Sequence, residues 1–128
     1  ARLLRDGCGV SAMHDPTEGG LAAALWELSI ASNKTLLVNL DKVPISELTK
    51  IICSLFSINP LNSISSGALL FTAKAVNSKA IIDTLEKNQI PVFEIGYVIG
   101  DGIDVINADQ SPPISIPRPE RDEITQIF

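Results

Sequence analysis

The chain has 128 residues, 45% of them hydrophobic and spread along its length, enough for one folded domain with a real core and too few for two large ones. No apolar run approaches the roughly 20 residues that a membrane helix needs, and a net charge of −5 with scattered basic residues argues against a nucleic-acid surface. Cys8 and Cys53 form no CxxC pair and His14 is the only histidine, which argues against zinc. Two thiols without a signal peptide lead to the expectation of a reducing cytoplasm. The N-terminus, "ARLLRDGCGV", reads as a cut edge, so an upstream segment is expected.

In chain order, "MHDPTEGGL" (13–21) reads as a helix start, with Asp15 as N-cap, Pro16 at N1 and Glu18 at N3. Gly19 and Gly20 then fall inside the first turns, where each costs roughly 1 kcal/mol relative to alanine. A helix over 17–32 follows from Leu21, Leu25 and Leu28 at i, i+4, i+7, with a second stripe of Ala22, Trp26 and Ile30. "TLLVNL" (35–40) is a short buried strand. A second helix over 45–56 would turn Ile45, Leu48, Ile52 and Leu55 inward. "INPLNSISSG" (58–67) is a loop by its Asn, Pro, Ser and Gly content, and "ALLFTA" (68–73) a second apolar strand. A third helix over 78–88, capped by Asn77 or Ser78, carries Ile81, Ile82 and Leu85 as its core stripe. Strands over 92–99 and 103–107 flank Gly100-Asp101-Gly102, a hairpin signal. Four prolines in eight residues mark residues 109–128 as a Pro-rich C-terminal arm ending in a helical turn around Ile124, Ile127 and Phe128, after a domain of residues 1–108. The order of elements defines an α+β fold, a mixed sheet with helices packed on it.

The double glycine at a helix start admits two readings. Amides at a helix N-terminus are unsatisfied and carry the positive end of the dipole, and glycine lets a phosphate approach them. Asp15 would then hold a Mg²⁺ accompanying that phosphate, with Thr17 and serines adding hydroxyls. Alternatively, Asp15 and Glu18 form a capping box, and the glycines mark a crossing with a strand. No G-x-x-x-x-G-K-[ST] or G-x-G-x-x-G pattern is present. His14 could act as a base, but no nucleophile stands beside it in sequence, and Cys8 and Cys53 lack an activating neighbour. Glu120-Arg121-Asp122-Glu123 reads as a solvated face or an arm docking on a neighbour.

"AMHDPTEGGLAAALWELSIAS" resembles the glycine-rich signature of the C-terminal domain shared by aminoimidazole ribonucleotide (AIR) synthase, selenophosphate synthetase, thiamine-monophosphate kinase and HypE. The pattern D-P-T-x-G-G-L-x-x-x-L-x-E is met by Asp15, Pro16, Thr17, Gly19, Gly20, Leu21, Leu25 and Glu27. "VPISELTKIICSLFSINPLNSISSGALLFT" is similar to the family's I-P segment, helix and D-P-L…G-x-L-L strand. "IPVFEIGYVI" is similar to its final I-G-x-V strand. The resemblance spans about residues 8 to 101 and is strongest to HypE-like AIR-synthase-related proteins.

The resemblance implies an AIR-synthase C-terminal-domain-like fold, partly ferredoxin-like, packed against an N-terminal ATP-binding domain that this sequence lacks. It implies ATP and Mg²⁺ as cofactors of the full-length parent, with none expected for the fragment alone. The implied chemistry is ATP-driven activation of an amide or carbamoyl oxygen, with hydrogenase maturation as one setting. Carried over residue by residue, the cofactor-binding set is Asp15, Thr17, Gly19 and Gly20, with the loop Ser65-Ser66-Gly67, and Asp15 is the metal ligand. Implied partners are the missing domain, a second copy in a homodimer and another maturation protein. HypE proteins end in Pro-Arg-x-Cys, whereas Pro117-Arg118-Pro119 here runs on to Phe128 with no cysteine beyond Cys53. The likeness is therefore to a HypE-like protein and not to HypE itself. The competing class is a non-catalytic α+β module that binds a ligand or partner through its sheet edge and arm.

Overall fold

The computed structural model describes residues 2–5 and 9–127. Cys8 and Phe128 lie outside the described residues. The elements are α1 (Arg2–Arg5), β1 (Val10–His14), α2 (Gly20–Ser32), β2 (Lys34–Val38), α3 (Glu47–Phe56), β3 (Leu70–Ala73), α4 (Ala75–Lys87), β4 (Gly96–Asp101), β5 (Asp104–Asn107) and β6 (Ile114–Ser115), with 3-10 turns at Leu40–Lys42, Pro60–Asn62 and Glu123–Gln126. The fold is α+β, as the order of elements implies.

Two sheets share α2 as their cover. The larger has the order β4-β2-β5-β6 and is mixed: β2 runs antiparallel to β4 and parallel to β5, and β6 is antiparallel to β5. Ala24, Leu25 and Leu28 of α2 pack on Leu36 and Val38 of β2, Val105 of β5 and Leu70 of β3. Each fully buried leucine of this kind is worth about 1.5–3 kcal/mol. Ser29, fully buried, donates to the carbonyl of Lys34 at 2.6 Å and accepts the Asp104 N–H at 3.1 Å, tying the end of α2 to two strands. Asn33 ends the helix in the left-handed conformation at φ 52°.

The smaller sheet pairs β1 with β3, antiparallel, in the register Met13↔Phe71 and His14↔Leu70. Its outer face carries a second core in which Leu4, Ile81 and Leu85 meet Val10, Phe71 and Ala73. Strand β1 was not expected from the sequence: "VSAMH" is short and half-buries only alternate residues, a weak signal on its own.

Four expectations are corrected. Helix α2 does not begin at Asp15; its N-cap is Gly19, left-handed at φ 75°, and Gly20 follows at φ 61°. Asp15, Pro16 and Glu18 therefore belong to the turn leaving β1 and form no capping box. The glycines are needed because both positions sit where L side chains are strained. Secondly, β4 and β5 do not pair as a hairpin; β2 inserts between them, and Gly102, at φ 117°, carries the chain across its end, its N–H bonding the Asn33 carbonyl at 3.2 Å. Thirdly, α3 turns only Cys53 into the body and leaves Leu48, Ile52 and Leu55 exposed. Fourthly, α4 starts at Ala75 with Lys74 as N-cap, one turn ahead of the expected Asn77 or Ser78.

The arm is integrated into the body. It adds β6 to the sheet, the Ile116 carbonyl accepts the Trp26 indole N–H at 3.0 Å, and Asp122 is buried.

Candidate functional site

Because His14 opposes Leu70, the loop leaving β1 and the loop entering β3 emerge side by side at one end of the small sheet. Between them lies an open cavity of about 410 Å³, lined by Asp15, Thr17, Ser66, Gly67, Ala68 and Leu69. Residues roughly fifty positions apart in sequence are thus brought together. Asp15 is the only ionisable residue of the lining, and Thr17 and Ser66 add two hydroxyls. A tight turn, closed by the Ala68 N–H on the Ser65 carbonyl at 3.1 Å, presents Gly67 at φ 98° with open space where a Cβ would stand.

Three of the seven sequence-derived residues do not line this cavity. The Ser65 hydroxyl donates to the Ser63 carbonyl at 3.1 Å. Gly19 and Gly20 are buried behind it. The Gly19 N–H, the donor that an anion at the start of α2 would seek, is bonded to Asp122 Oδ2 at 2.8 Å. The other oxygen of that carboxylate accepts the Ile124 N–H at 2.9 Å. The chain thus supplies its own anion to the α2 N-terminus, where a carboxylate is favoured by the dipole. Gly20 serves a different need, since a Cβ there would stand 2.3 Å from the Ser63 carbonyl oxygen and 2.7 Å from that of Leu61. Asp122 was not legible as a functional group, because a run of alternating charges in a proline-rich arm gives no sign that one carboxylate is buried. Its neighbour Glu123 clasps the same region, accepting the Asn62 side-chain amide at 2.7 Å and the Asn59 N–H.

His14 lies beside the cavity without lining it; its Nε2 meets Glu27 Oε2 at 2.5 Å, joining the end of β1 to α2. Cys53 is a buried free thiol. A second cavity of about 180 Å³ lies between α2 and the arm, with Leu21, Leu25, Leu40, Leu61 and Ile116 among its walls and no ionisable side chain. Among the described residues no group of three His, Cys, Asp or Glu could hold a metal ion. No helix of the described residues is long and apolar enough to cross a membrane.

The residues present fit Mg²⁺ in one limited sense. That ion is commonly held by one or two carboxylates together with substrate phosphates and water, and Asp15 offers one such hard oxygen ligand. They do not fit an unescorted phosphate, since the lining carries a negative charge and no cation.

The structure thus presents an α+β unit with a one-carboxylate cavity open to solvent. The chain belongs to the family of AIR synthase related protein C-terminal domains, whose model matches residues 1–109. A putative hydrogenase expression/formation protein of Methanocaldococcus jannaschii is 33% identical over 99 residues, which cover 77% of this chain and 29% of that protein. The carbamoyl dehydratase HypE of Cupriavidus necator is 29% identical over 104 residues, covering 80% of this chain and 30% of the relative. This chain therefore spans about a third or less of the length of the curated relatives it matches. A crystal structure of the hydrogenase maturation protein HypE in complex with ATP superposes with a TM-score of 0.82 at 22% identity, covering 95% of this chain and 41% of that one. This establishes the common fold.

Proposed function

We propose that this chain is the C-terminal wall of the nucleotide cleft in a HypE-like, ATP-dependent protein. The meeting of Asp15 and Thr17 with Ser66 and Gly67 in one open cavity carries the reading. ATP bound in that cleft supplies a phosphoryl group that activates an amide or carbamoyl oxygen, the chemistry of a hydrogenase-maturation step. The binding of ATP by a HypE protein of this fold and the carbamoyl dehydratase name of a relative support this assignment. The upstream domain, as in a homodimer of the parent, would provide the cationic contacts that this wall lacks.

The chain's own groups have defined roles in this scheme. Asp15 would offer a carboxylate oxygen to a Mg²⁺ escorting the phosphates, and that cation would offset the repulsion between the carboxylate and the phosphates. The hydroxyls of Thr17 and Ser66 donate to or accept from the bound group without adding charge. Gly67 keeps the wall free of a side chain, so backbone can approach the ligand closely. Gly19 and Gly20 shape the turn that aims Thr17, and Asp122 holds that turn in place.

The test is Mg-nucleotide affinity of the full-length protein. Asp15→Asn should weaken it by about tenfold, or 1.4 kcal/mol, with the loss greatest at low Mg²⁺. The purified 128-residue chain should show no ATP turnover. Full-length affinity unchanged by Asp15→Asn, or turnover by the chain alone, refutes the reading.

A further inference from the structure

The loop that carries Asp15 and Thr17 runs from the end of β1 to the start of α2, and its downstream half is well tied. The Gly20 N–H bonds the Thr17 carbonyl at 3.0 Å, and Asp122 binds the Gly19 N–H. Pro16, fully buried and locked in φ, anchors the centre. Asp15 stands upstream of these, exposed, directly after His14. His14 is the last rung of the β1–β3 ladder, opposite Leu70, and a two-stranded sheet by itself holds such a rung weakly.

The hold that the ladder lacks comes from a side chain. A carboxylate only accepts hydrogen bonds, so the His14 Nε2–H donates to Glu27 Oε2, at 2.5 Å and across thirteen residues of sequence. Glu27 sits about two turns into α2, the helix that packs on both sheets. With side chains 35% and 53% exposed, the pair adds little to global stability. Its consequence is local: it fixes the residue next to Asp15 to an element of the main core. Neither side chain lines the cavity, so neither is placed to bind the ligand itself.

We propose that His14 and Glu27 are positioning residues for the Asp15 site: their contact pins the end of β1 to α2 and so holds the Asp15 carboxylate ready for the cation. The inference rests on the reading of this cavity as the wall of a Mg-nucleotide cleft, and extends that site to a pair on the neighbouring helix. Groups that orient a metal ligand without touching the metal are commonly worth about tenfold or more in affinity.

The experiment titrates Mg²⁺ against nucleotide binding in the full-length protein, with Tm measured beside it, for Asp15→Asn, His14→Ala, Glu27→Ala, the double alanine variant and His14→Gln. Each single alanine variant should raise the Mg²⁺ needed for half-maximal nucleotide binding by about tenfold, while Tm falls by no more than about 3 °C. The double variant should be no worse than the worse single, because the two side chains act through one contact. His14→Gln, whose amide nitrogen can donate in place of Nε2, should restore most of the loss. In the protein without nucleotide, amide hydrogen exchange over residues 15–18 should quicken in His14→Ala and return in His14→Gln. A lower Tm with an unchanged Mg²⁺ requirement would mark a merely structural pair. If Asp15→Asn raises the Mg²⁺ requirement and both alanine variants leave it unchanged, this inference is overturned and the reading of the cavity stands. If Asp15→Asn has no effect, that reading falls and this inference with it. Additive losses in the double variant, or no recovery in His14→Gln, also overturn it.

Discussion

Alanine at Gly20 separates a left-handed hinge from a helix-interior glycine. Gly20 sits at φ 61°, where an L residue costs about 1–2 kcal/mol. Its Cβ would approach the backbone oxygens of Ser63 and Leu61 to 2.3 and 2.7 Å, and backbone cannot rotate away as a side chain can. Forced repacking of this kind costs about 1–3 kcal/mol more. Gly20→Ala should therefore lose about 2–5 kcal/mol, or roughly 8–20 °C in Tm for a chain of this size. Gly67→Ala, at φ 98° with nothing within 4 Å of the new Cβ, should lose only the backbone share of about 1–2 kcal/mol. Gly100, with no positive φ and no atom in reach, should tolerate alanine without loss or gain about 0.4–1 kcal/mol. Urea denaturation followed by the fluorescence of Trp26, the single tryptophan, measures all three. A Gly20→Ala variant stabilised by about 0.4–1 kcal/mol, as in a straight helix, or three variants with equal losses, contradicts the hinge.

Asp122→Ala removes the carboxylate that binds the N–H groups of Gly19 and Ile124, and should cost about 1–2 kcal/mol, measured by the same denaturation; no loss would show that the arm does not cap α2. Leu25→Ala should cost about 2–5 kcal/mol and Leu55→Ala no more than about 0.5, since the first side chain is buried against both sheets and the second projects into solvent; equal costs would contradict the orientation of α3. The carboxyls of Glu94, held by the Ser78 and Tyr97 hydroxyls, of Asp101, held by Lys34, and of Asp109, held by the Asn39 amide, all lie below their ordinary values. A lowered folded-state value means stability that is complete above about pH 5 and lost as the pH falls through it. The urea midpoint should thus be flat from neutrality to about pH 5 and decline below, and Asp101→Asn should flatten the decline; a midpoint that rises on acidification would reverse the sign.

Local patterns in the sequence carried most of the secondary structure. The 3.6-residue spacing of Leu21, Leu25 and Leu28 and the short apolar runs at 35–40 and 68–73 mark one helix and two strands that the structure retains, because such patterns record which face each element must bury. The resemblance of the glycine motif was legible for the same reason: its residues are contiguous. The turn conformation within it was not, since D-P-T-E is also a good helix start, and only the approach of the Leu61 and Ser63 carbonyls shows why Gly20 has no room for a side chain.

The order of residues was enough for the α+β class, the helix–strand alternation, the family, and the candidacy of Asp15, Thr17, Ser66 and Gly67. That these four share a cavity came from packing, because antiparallel pairing of β1 with β3 brings distant loops to one end of a sheet. So did the separation of β4 from β5 by β2, a choice between strand partners that no local turn signal encodes. The outward stripe of α3 belongs with these: amphipathic spacing states that a face will be covered, and only the packing shows that this domain does not cover it. Asp122 is the extreme case, a charge whose value to the fold depends wholly on where the arm brings it, at the start of a helix about a hundred residues earlier in the chain.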